Sequence, residues 1–181
     1  MTAIWMVRHA PVRASRLCYG QSNVATRVDA KRAADSIENE LRKRDAGPWD
    51  ELWSSPWERT ERVAAVLGAR SGVPVRADAR LSELSFGAWE GIPFGEIEAH
   101  DRERFTAWVE AYETVSPPGG ETADQLVARV ADWLSEIERT GKTVLAVAHA
   151  GTIRAARAVR AGTRYSGVAH TRVEFLVPER I

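Results

Sequence analysis

Two short apolar segments stand out along the chain, and a histidine closely follows each of them. Residues 3–7 (AIWMV) and 143–148 (TVLAVA) are almost wholly apolar, and His9 and His149 come just after them. Runs of this length and composition are typical of strands that are buried on both faces of a sheet. Further strands are predicted at 52–53, 74–77 and 173–177.

Segments with helical spacing of apolar residues alternate with these strands. They lie at about 29–44, from 56 onward, at 96–112, around 126–137 and from about 152. Ser55 is expected to cap the second helix and Pro56 to occupy its first position, because proline lacks the N–H that a first turn leaves unpaired. The alternation predicts an α/β fold, a three-layer α/β/α sandwich around a mainly parallel sheet.

The overall composition excludes several classes of protein. The 181 residues include 25 basic and 25 acidic side chains, 44% apolar residues and one cysteine, Cys18. The length suits one domain with a sizeable core, and the apolar content argues against disorder. Zero net charge argues against a nucleic-acid partner, and one cysteine excludes an internal disulfide. Because zinc-spaced Cys/His clusters and long apolar runs are lacking, we expect no metal site, no membrane association and a cytoplasmic location.

The two histidines are predicted to meet at one edge of the sheet. Parallel α/β sheets bind ligands beyond the carboxyl ends of their strands, where His9 and His149 would both lie. Arg8 precedes the first histidine, and Ala150 follows the second near the expected start of a helix, whose free N–H groups favour an anion. One histidine at a strand end is commonly a packed or capping residue. Two at the same edge, with an arginine, indicate a phosphate site.

Five motifs in order resemble those of the histidine phosphatase superfamily, the phosphoglycerate-mutase-like group. They are Val7-Arg8-His9-Ala10, Ser54-Ser55-Pro56-Trp57-Glu58-Arg59-Thr60, the loop from Leu81 to Gly91, Pro118-Gly119-Gly120-Glu121, and the segment from Val147 to Arg154. Each motif is weak alone, but their shared order over most of the chain is specific. The resemblance implies a phosphoglycerate-mutase-like fold, with 1–181 as a single domain that carries a helical insertion at about 79–120.

The resemblance also implies a metal-independent phosphomonoesterase that needs no cofactor. His9 is the implied nucleophile, which forms a phosphohistidine that water then hydrolyses. Glu83 is the implied general acid and base. The implied phosphate ligands are Arg8, Arg59, His149 and the N–H of Ala150.

Two of these assignments have competing interpretations. Arg59 could be a solvated arginine on a helix surface, although the Ser-Ser-Pro motif before it favours a functional role. Glu90 shares its loop with Glu83, but the position just before Phe86-Gly87 favours Glu83 as the acid. Glu90 is therefore expected to make a structural hydrogen bond.

Departures from the family pattern bear on the substrate. Ala10 replaces a glycine, which is expected to preserve activity but alter the approach of phosphate. Segment 18–23 (CYGQSN) resembles the α-ribazole-phosphatase-like branch, except that Gln21 and Asn23 replace charged residues. The alternative for this segment is a turn-rich loop with a packed tyrosine. The candidate specificity residues are Ser15 (where the family has an asparagine), Tyr19, Gln21, Asn23 and, as a pocket wall, Trp89.

The expected partner is a small phosphorylated metabolite, with an α-ribazole-phosphate-like compound as one candidate, and the protein is expected to be a monomer or homodimer. A phosphoglycerate-mutase-type phosphoryl transferase and a phosphohistidine-protein phosphatase remain alternative enzymes. The short chain leaves little room for the segments that cage the intermediate in mutases, which favours hydrolysis. An inactive phospholigand-binding module is the non-enzymatic alternative, motivated by Ala10 and the altered loop.

Overall fold

The computed structural model of the chain describes residues 3–14 and 17–181, so the prediction for Ser15 lies outside the described residues. Strands and helices alternate along most of this range, as the apolar pattern predicted. In chain order they are β1 (Ala3–Arg8), α1 (Ala30–Lys43), β2 (Glu51–Ser54), α2 (Glu58–Ser71), β3 (Val75–Ala77), α3 (Phe94–His100), α4 (Arg102–Ala111), α5 (Ala123–Thr140), β4 (Thr143–Ala148), α6 (Ala150–Ala161) and β5 (Glu179–Arg180).

The strands form one mixed sheet in the order β3-β2-β4-β1-β5. β1 pairs with β4 in parallel along its whole length, from Ala3 opposite Thr143 to Arg8 opposite Ala148. β2 and β3 continue the parallel part, whereas β5 is antiparallel to β1. This topology confirms the predicted mainly parallel sheet.

The sheet has a hydrophobic core on each of its faces. Val144 and Ala146 of β4 pack in one core with α5 and α6, whereas Leu145 and Val147 pack in the other with α1 and α2. Successive side chains of a strand point to opposite faces, so a central strand with helices on both sides must be apolar throughout. This two-sided burial confirms the three-layer α/β/α architecture.

The predicted start of the second helix is wrong. α2 begins at Glu58, two residues beyond Pro56, and no side chain of its own N-cap residue closes it. Instead, the Oδ1 atom of Asn23 accepts the backbone N–H of Glu58 at 3.2 Å. Ser55 does not cap this helix because its hydroxyl contacts His149.

Two further elements differ from their predictions. The helix expected over 96–112 is two helices, separated at Asp101, whose backbone is not helical. The prediction of a strand over 173–177 is wrong, because Leu176 has a positive φ of 60° that interrupts the extended backbone. The last strand follows at Glu179–Arg180.

The segment that precedes α5 carries a small aromatic core of its own, which we call the aromatic cluster. Its rings contact one another with centroids about 6 Å apart, and Cys18 and Ile97 are buried against them. The cluster consists of Phe86, Trp89, Phe94, Phe105 and Trp108. Within the described ranges, no helix combines the length and the apolar character that a membrane span requires.

Candidate active site

His9 lies just beyond β1, buried at the edge where β4 also ends. Its backbone N–H donates to the carbonyl of Ala148 at 3.0 Å and extends the β1–β4 ladder. Its Nδ1 atom lies 2.7 Å from the carbonyl oxygen of Ala10. Because a carbonyl oxygen can only accept, Nδ1 carries the proton and Nε2 keeps its lone pair. The ring is therefore held in the tautomer that a nitrogen nucleophile needs.

The surroundings of His9 keep its ring neutral. Burial lowers the pKa of His9 to about 3, and the positive charges of Arg59 and Arg8 act in the same direction. The imidazole is therefore uncharged throughout the physiological pH range. A neutral ring is the form that can attack phosphorus.

His149 lies fully buried beside His9, with the two ring centroids 5.2 Å apart. Its Nδ1 accepts the Nε–H of Arg59 at 3.2 Å, so Nε2 carries the proton and donates to Oγ of Ser55 at 2.8 Å. Burial lowers the pKa of His149 well below its usual range. His149 is thus a neutral bridge between Arg59 and the Ser-Ser-Pro motif.

Arg59 and Glu90 both hold segment 20–22. Arg59 is only 3% exposed, and its guanidinium donates to the carbonyl of Ser22 at 2.6 Å and to the carbonyl of Gly20. The Glu90 carboxylate accepts backbone N–H groups of Gly20 and Gln21 and the hydroxyl of Ser22. Glu90 therefore makes structural hydrogen bonds, in line with its position in the sequence, and Arg59 is not a solvated surface arginine.

A cavity of about 430 Å³ opens beside His9. Arg8, His9, Glu83, Ala150 and Gly151 line one end of it, so residues from three distant sequence motifs share one space. The other walls are largely aromatic and include Tyr19, Phe86, Phe94, Trp108, Tyr112 and Tyr165. The cavity joins a polar end to an apolar compartment, which is the common design of a small-molecule site.

Glu83 reaches this cavity with its carboxylate fixed by two backbone groups. Oε2 accepts the N–H of Gly151 at 3.0 Å, and Oε1 accepts the N–H of Leu84 at 3.0 Å. A Cβ on residue 151 would lie 2.0 Å from Oε1, so only glycine leaves the carboxylate in this position. The backbone N–H of Gly151 at the start of α6 therefore holds one carboxylate oxygen of the candidate acid.

Arg8 is held at the cavity by the chain that follows α6. Its Nη1 donates to the carbonyl of Val173 at 2.9 Å, and its Cζ lies 3.6 Å from the centroid of the Phe175 ring. Burial lowers the pKa of Arg8, but an arginine remains cationic at neutral pH. The cavity thus has a fixed positive charge next to His9.

Several residues predicted for the site do not line the cavity. Arg59 and His149 lie in a buried layer next to His9, where they contact protein groups. The methyl group of Ala10 packs into the core with α1 and α2, so it does not narrow the phosphate end of the cavity.

Three of the candidate specificity residues, Trp89, Gln21 and Asn23, do not line the cavity. Trp89 is not a wall of the cavity, because its ring is buried within the aromatic cluster and its Nε1 donates to Asp101 at 3.0 Å. Gln21 donates from its amide to the carbonyl of Glu83 at 3.0 Å, and Asn23 caps α2. Tyr19 does line the cavity.

Most of the aromatic walls and one cationic residue of the cavity were not predicted from the sequence. Arg154 lines the cavity one helical turn after Ala150, so their spacing in the last motif could have revealed it. Tyr112 and Tyr165 meet with ring centroids 6.2 Å apart, although they are far apart in sequence. No local pattern signals that contact.

The neutral state of His9 predicts a specific dependence of stability on pH. The unfolded histidine binds a proton below about pH 6.5, whereas folded His9 stays neutral down to about pH 3. The contribution of His9 to the free energy of unfolding is therefore at its full value above about pH 6.5. It decreases as the pH falls, by up to about 1.4 kcal/mol per pH unit. His9→Asn, which retains a donor for the carbonyl of Ala10, should show a correspondingly smaller slope of unfolding free energy in urea between pH 4.5 and 6.5. Equal slopes in the two proteins would contradict this state.

The chain is similar to known proteins in its fold and in part of its sequence. The α-ribazole phosphatase from Shigella flexneri has the same fold, with a TM-score of 0.86, 23% identity, and coverage of 99% of this chain and 89% of that one. The chain is 33% identical over 112 residues to the glucosyl-3-phosphoglycerate phosphatase of Mycobacterium tuberculosis, which covers 56% of this chain and 50% of the relative. It is 35% identical over 103 residues to the bifunctional protein Rv2228c of the same organism, which covers 56% of this chain and 28% of the relative.

These curated relatives are matched over only about half of their length or less. The match to the family is more extensive, because the histidine phosphatase superfamily (branch 1) matches residues 4–174. That range contains both histidines, both arginines and the glutamate of the site. Proteins similar to this chain include phosphatases and a phosphoglycerate mutase. The chain belongs to branch 1 of the histidine phosphatase superfamily.

Proposed function

We propose that this protein hydrolyses small phosphate monoesters through a phosphohistidine intermediate on His9, without a metal ion. The observation that carries the proposal is the geometry of His9, whose Nδ1–H is held by a carbonyl while its ring lines the cavity with Arg8 and Glu83. One cavity thus brings together a nucleophile, a cation and a carboxyl group. Phosphoryl transfer to a nitrogen nucleophile requires these groups.

In the first step, Nε2 of His9 attacks phosphorus and the bond between phosphorus and the ester oxygen breaks. The protonated carboxyl group of Glu83 gives its proton to that oxygen, so the product leaves as a neutral alcohol. Nδ1–H remains bonded to the carbonyl of Ala10 and stabilises the charge that the ring acquires. Arg8 neutralises charge on the phosphoryl oxygens.

In the second step, the Glu83 carboxylate takes a proton from water while the water oxygen attacks phosphorus. The N–P bond breaks, inorganic phosphate leaves, and His9 returns to its neutral form. Arg59 contributes positive charge from the buried layer next to His9, and His149 keeps Arg59 in place. The N–H of Ala150, in the first turn of α6, is a further donor for the phosphoryl group.

The walls of the cavity favour a substrate with a flat, apolar leaving group. Phe86, Phe94 and Trp108 contact one another, and the latter two rings are stacked at 14°. An aromatic group that enters this compartment gains burial and ring contacts. An α-ribazole-phosphate-like compound has this character, whereas the small hydrophilic leaving groups of phosphoserine and 3-phosphoglycerate lack it.

Removal of the nucleophile tests the mechanism directly. His9→Ala should lower kcat for p-nitrophenyl phosphate at least about a thousandfold in EDTA, because the covalent route is lost. The exposed His100→Ala is the matched control and should retain wild-type activity. Wild-type enzyme quenched in alkali should contain acid-labile phosphate. Equal activity of His9→Ala and wild type, or loss of wild-type activity in EDTA, would refute the proposal.

A second test concerns the place of the acid. Gly151→Ala should lower kcat about a hundredfold, because the new methyl group would displace the Glu83 carboxylate. Gly47→Ala adds the same methyl group where no atom lies within 4 Å, and it should leave kcat unchanged. Full activity of Gly151→Ala would show that this position of Glu83 is not needed.

The leaving-group compartment predicts a change in selectivity. Trp108→Leu should lower kcat/KM for naphthyl phosphate about fivefold through a higher KM, because a ring contact contributes about 1 kcal/mol. Hydrolysis of phosphoserine should change little. Val109→Ala, on the same helix but half exposed, is the control. An equal loss for both substrates would place the aromatic leaving group elsewhere.

A further inference from the structure

One arginine outside the cavity makes a set of contacts that the reaction does not explain. Arg129 of α5 donates from Nε and Nη2 to the two carboxylate oxygens of Glu121, at 2.7 and 2.9 Å. It also donates from Nη1 to the carbonyl of Arg80 at 2.7 Å and from Nη2 to the carbonyl of Glu83 at 3.1 Å. All three guanidinium nitrogens are engaged, and the two carbonyls bracket the segment that ends at the candidate acid.

Glu121 connects this arginine to the chain just beyond Glu83. Its backbone N–H donates to the carbonyl of Ser85 at 2.9 Å, and its Oε2 lies within 3.4 Å of the N–H of Ser85. A Cβ on Gly120 would lie 2.6 Å from the carbonyl of Ser85, so the glycine before Glu121 allows this approach. The Pro-Gly-Gly-Glu motif is therefore fastened to the acid-bearing loop.

The pair is shielded enough to act as a rigid support. The Arg129 and Glu121 side chains are 19% and 16% exposed, respectively, and the bidentate geometry fixes the plane of the guanidinium. Neither residue lines the cavity, so neither can contact substrate there. Residues 80–85 have only a short single-turn helix at 79–81, so their carbonyls need such external donors.

We propose that Arg129, held by Glu121, is a positioning residue that sets the place of the Glu83 carboxyl group for proton transfer to the leaving oxygen. This inference rests on the proposed role of Glu83 as the general acid. The amide of Gln21 supports the same carbonyl of Glu83 from the opposite loop, but it is neutral and makes one bond there. Arg129 is the charged support, and it holds both ends of the segment 80–83.

The experiment compares two substrates that differ in their need for an acid. An alkyl phosphate needs a proton on its leaving oxygen, whereas 4-nitrophenolate leaves readily without one. kcat/KM reports the step in which that bond breaks, before the phosphoenzyme is hydrolysed. For phenethyl phosphate, Arg129→Gln should lower kcat/KM about thirtyfold, and for p-nitrophenyl phosphate less than about threefold. Glu121→Gln should change the ratio of the two kcat/KM values in the same direction as Arg129→Gln, but by a smaller factor.

Controls separate positioning from a general effect on structure. Arg139→Gln removes an exposed arginine from the same helix and should leave both values unchanged. In a Glu83→Gln background, Arg129→Gln should cause no further change in the ratio, because no acid remains to be positioned. If Arg129→Gln does not fold, Glu121→Gln and its double variant with Glu83→Gln provide the same comparison.

The outcomes distinguish this inference from the proposed function. If Glu83→Gln lowers kcat/KM equally for both substrates, Glu83 is not the acid and the proposed function fails. A second outcome is that Glu83→Gln lowers kcat/KM mainly for phenethyl phosphate, whereas Arg129→Gln and Glu121→Gln lower it equally for both substrates. In that case Glu83 is the acid, but the positioning role of Arg129 is overturned. If the Arg129 effect persists undiminished without Glu83, it acts through another group and the inference is also overturned.

Discussion

The parallel pairing of β1 with β4 is the constraint on which the site depends. Its register places Arg8 opposite Ala148, so the next residue of each strand is a histidine. The bond from the N–H of His9 to the carbonyl of Ala148 then carries the pairing one step past the strands. Both strands are buried on both faces, and a slip by one residue would exchange the two cores. The packing of the sheet therefore also sets the distance between the two histidine rings.

Beyond the sheet edge, the site is built from irregular chain that charged side chains hold in place. Glu90 binds N–H groups of segment 20–22, Arg59 binds its carbonyls, and Arg129 binds carbonyls of the segment before Glu83. Each of these charges satisfies several backbone groups that no helix or strand would pair. The charges of Glu90, Arg59 and Arg129 are thus paired with protein groups. The zero net charge of the whole chain does not reveal this local concentration of cations.

Much of the site could be predicted because its chemistry resides in short motifs at the ends of strands and helices. Arg8, His9 and Glu83 each lie in such a motif, and the structure brings them to one cavity. The prediction that Ser55 caps the second helix was wrong because its hydroxyl is hydrogen-bonded to His149, which lies 94 residues away in the chain. The prediction that Trp89 is a cavity wall was wrong because its ring packs against the other rings of the aromatic cluster. Local sequence does not specify which neighbours a buried ring will have.

By itself, the sequence determined the α/β/α layers, the family and the edge of the sheet where the histidines lie. These features follow from local periodicity and motif order, since a strand buried on two faces leaves a continuous apolar run. Only the tertiary structure decided the tautomers of His9 and His149, the buried layer of Arg59, and the aromatic compartment that Tyr112 and Tyr165 help to form. Each of these depends on which groups from distant segments meet, and a proton or a ring takes its position from its partners in space rather than from its neighbours in the chain.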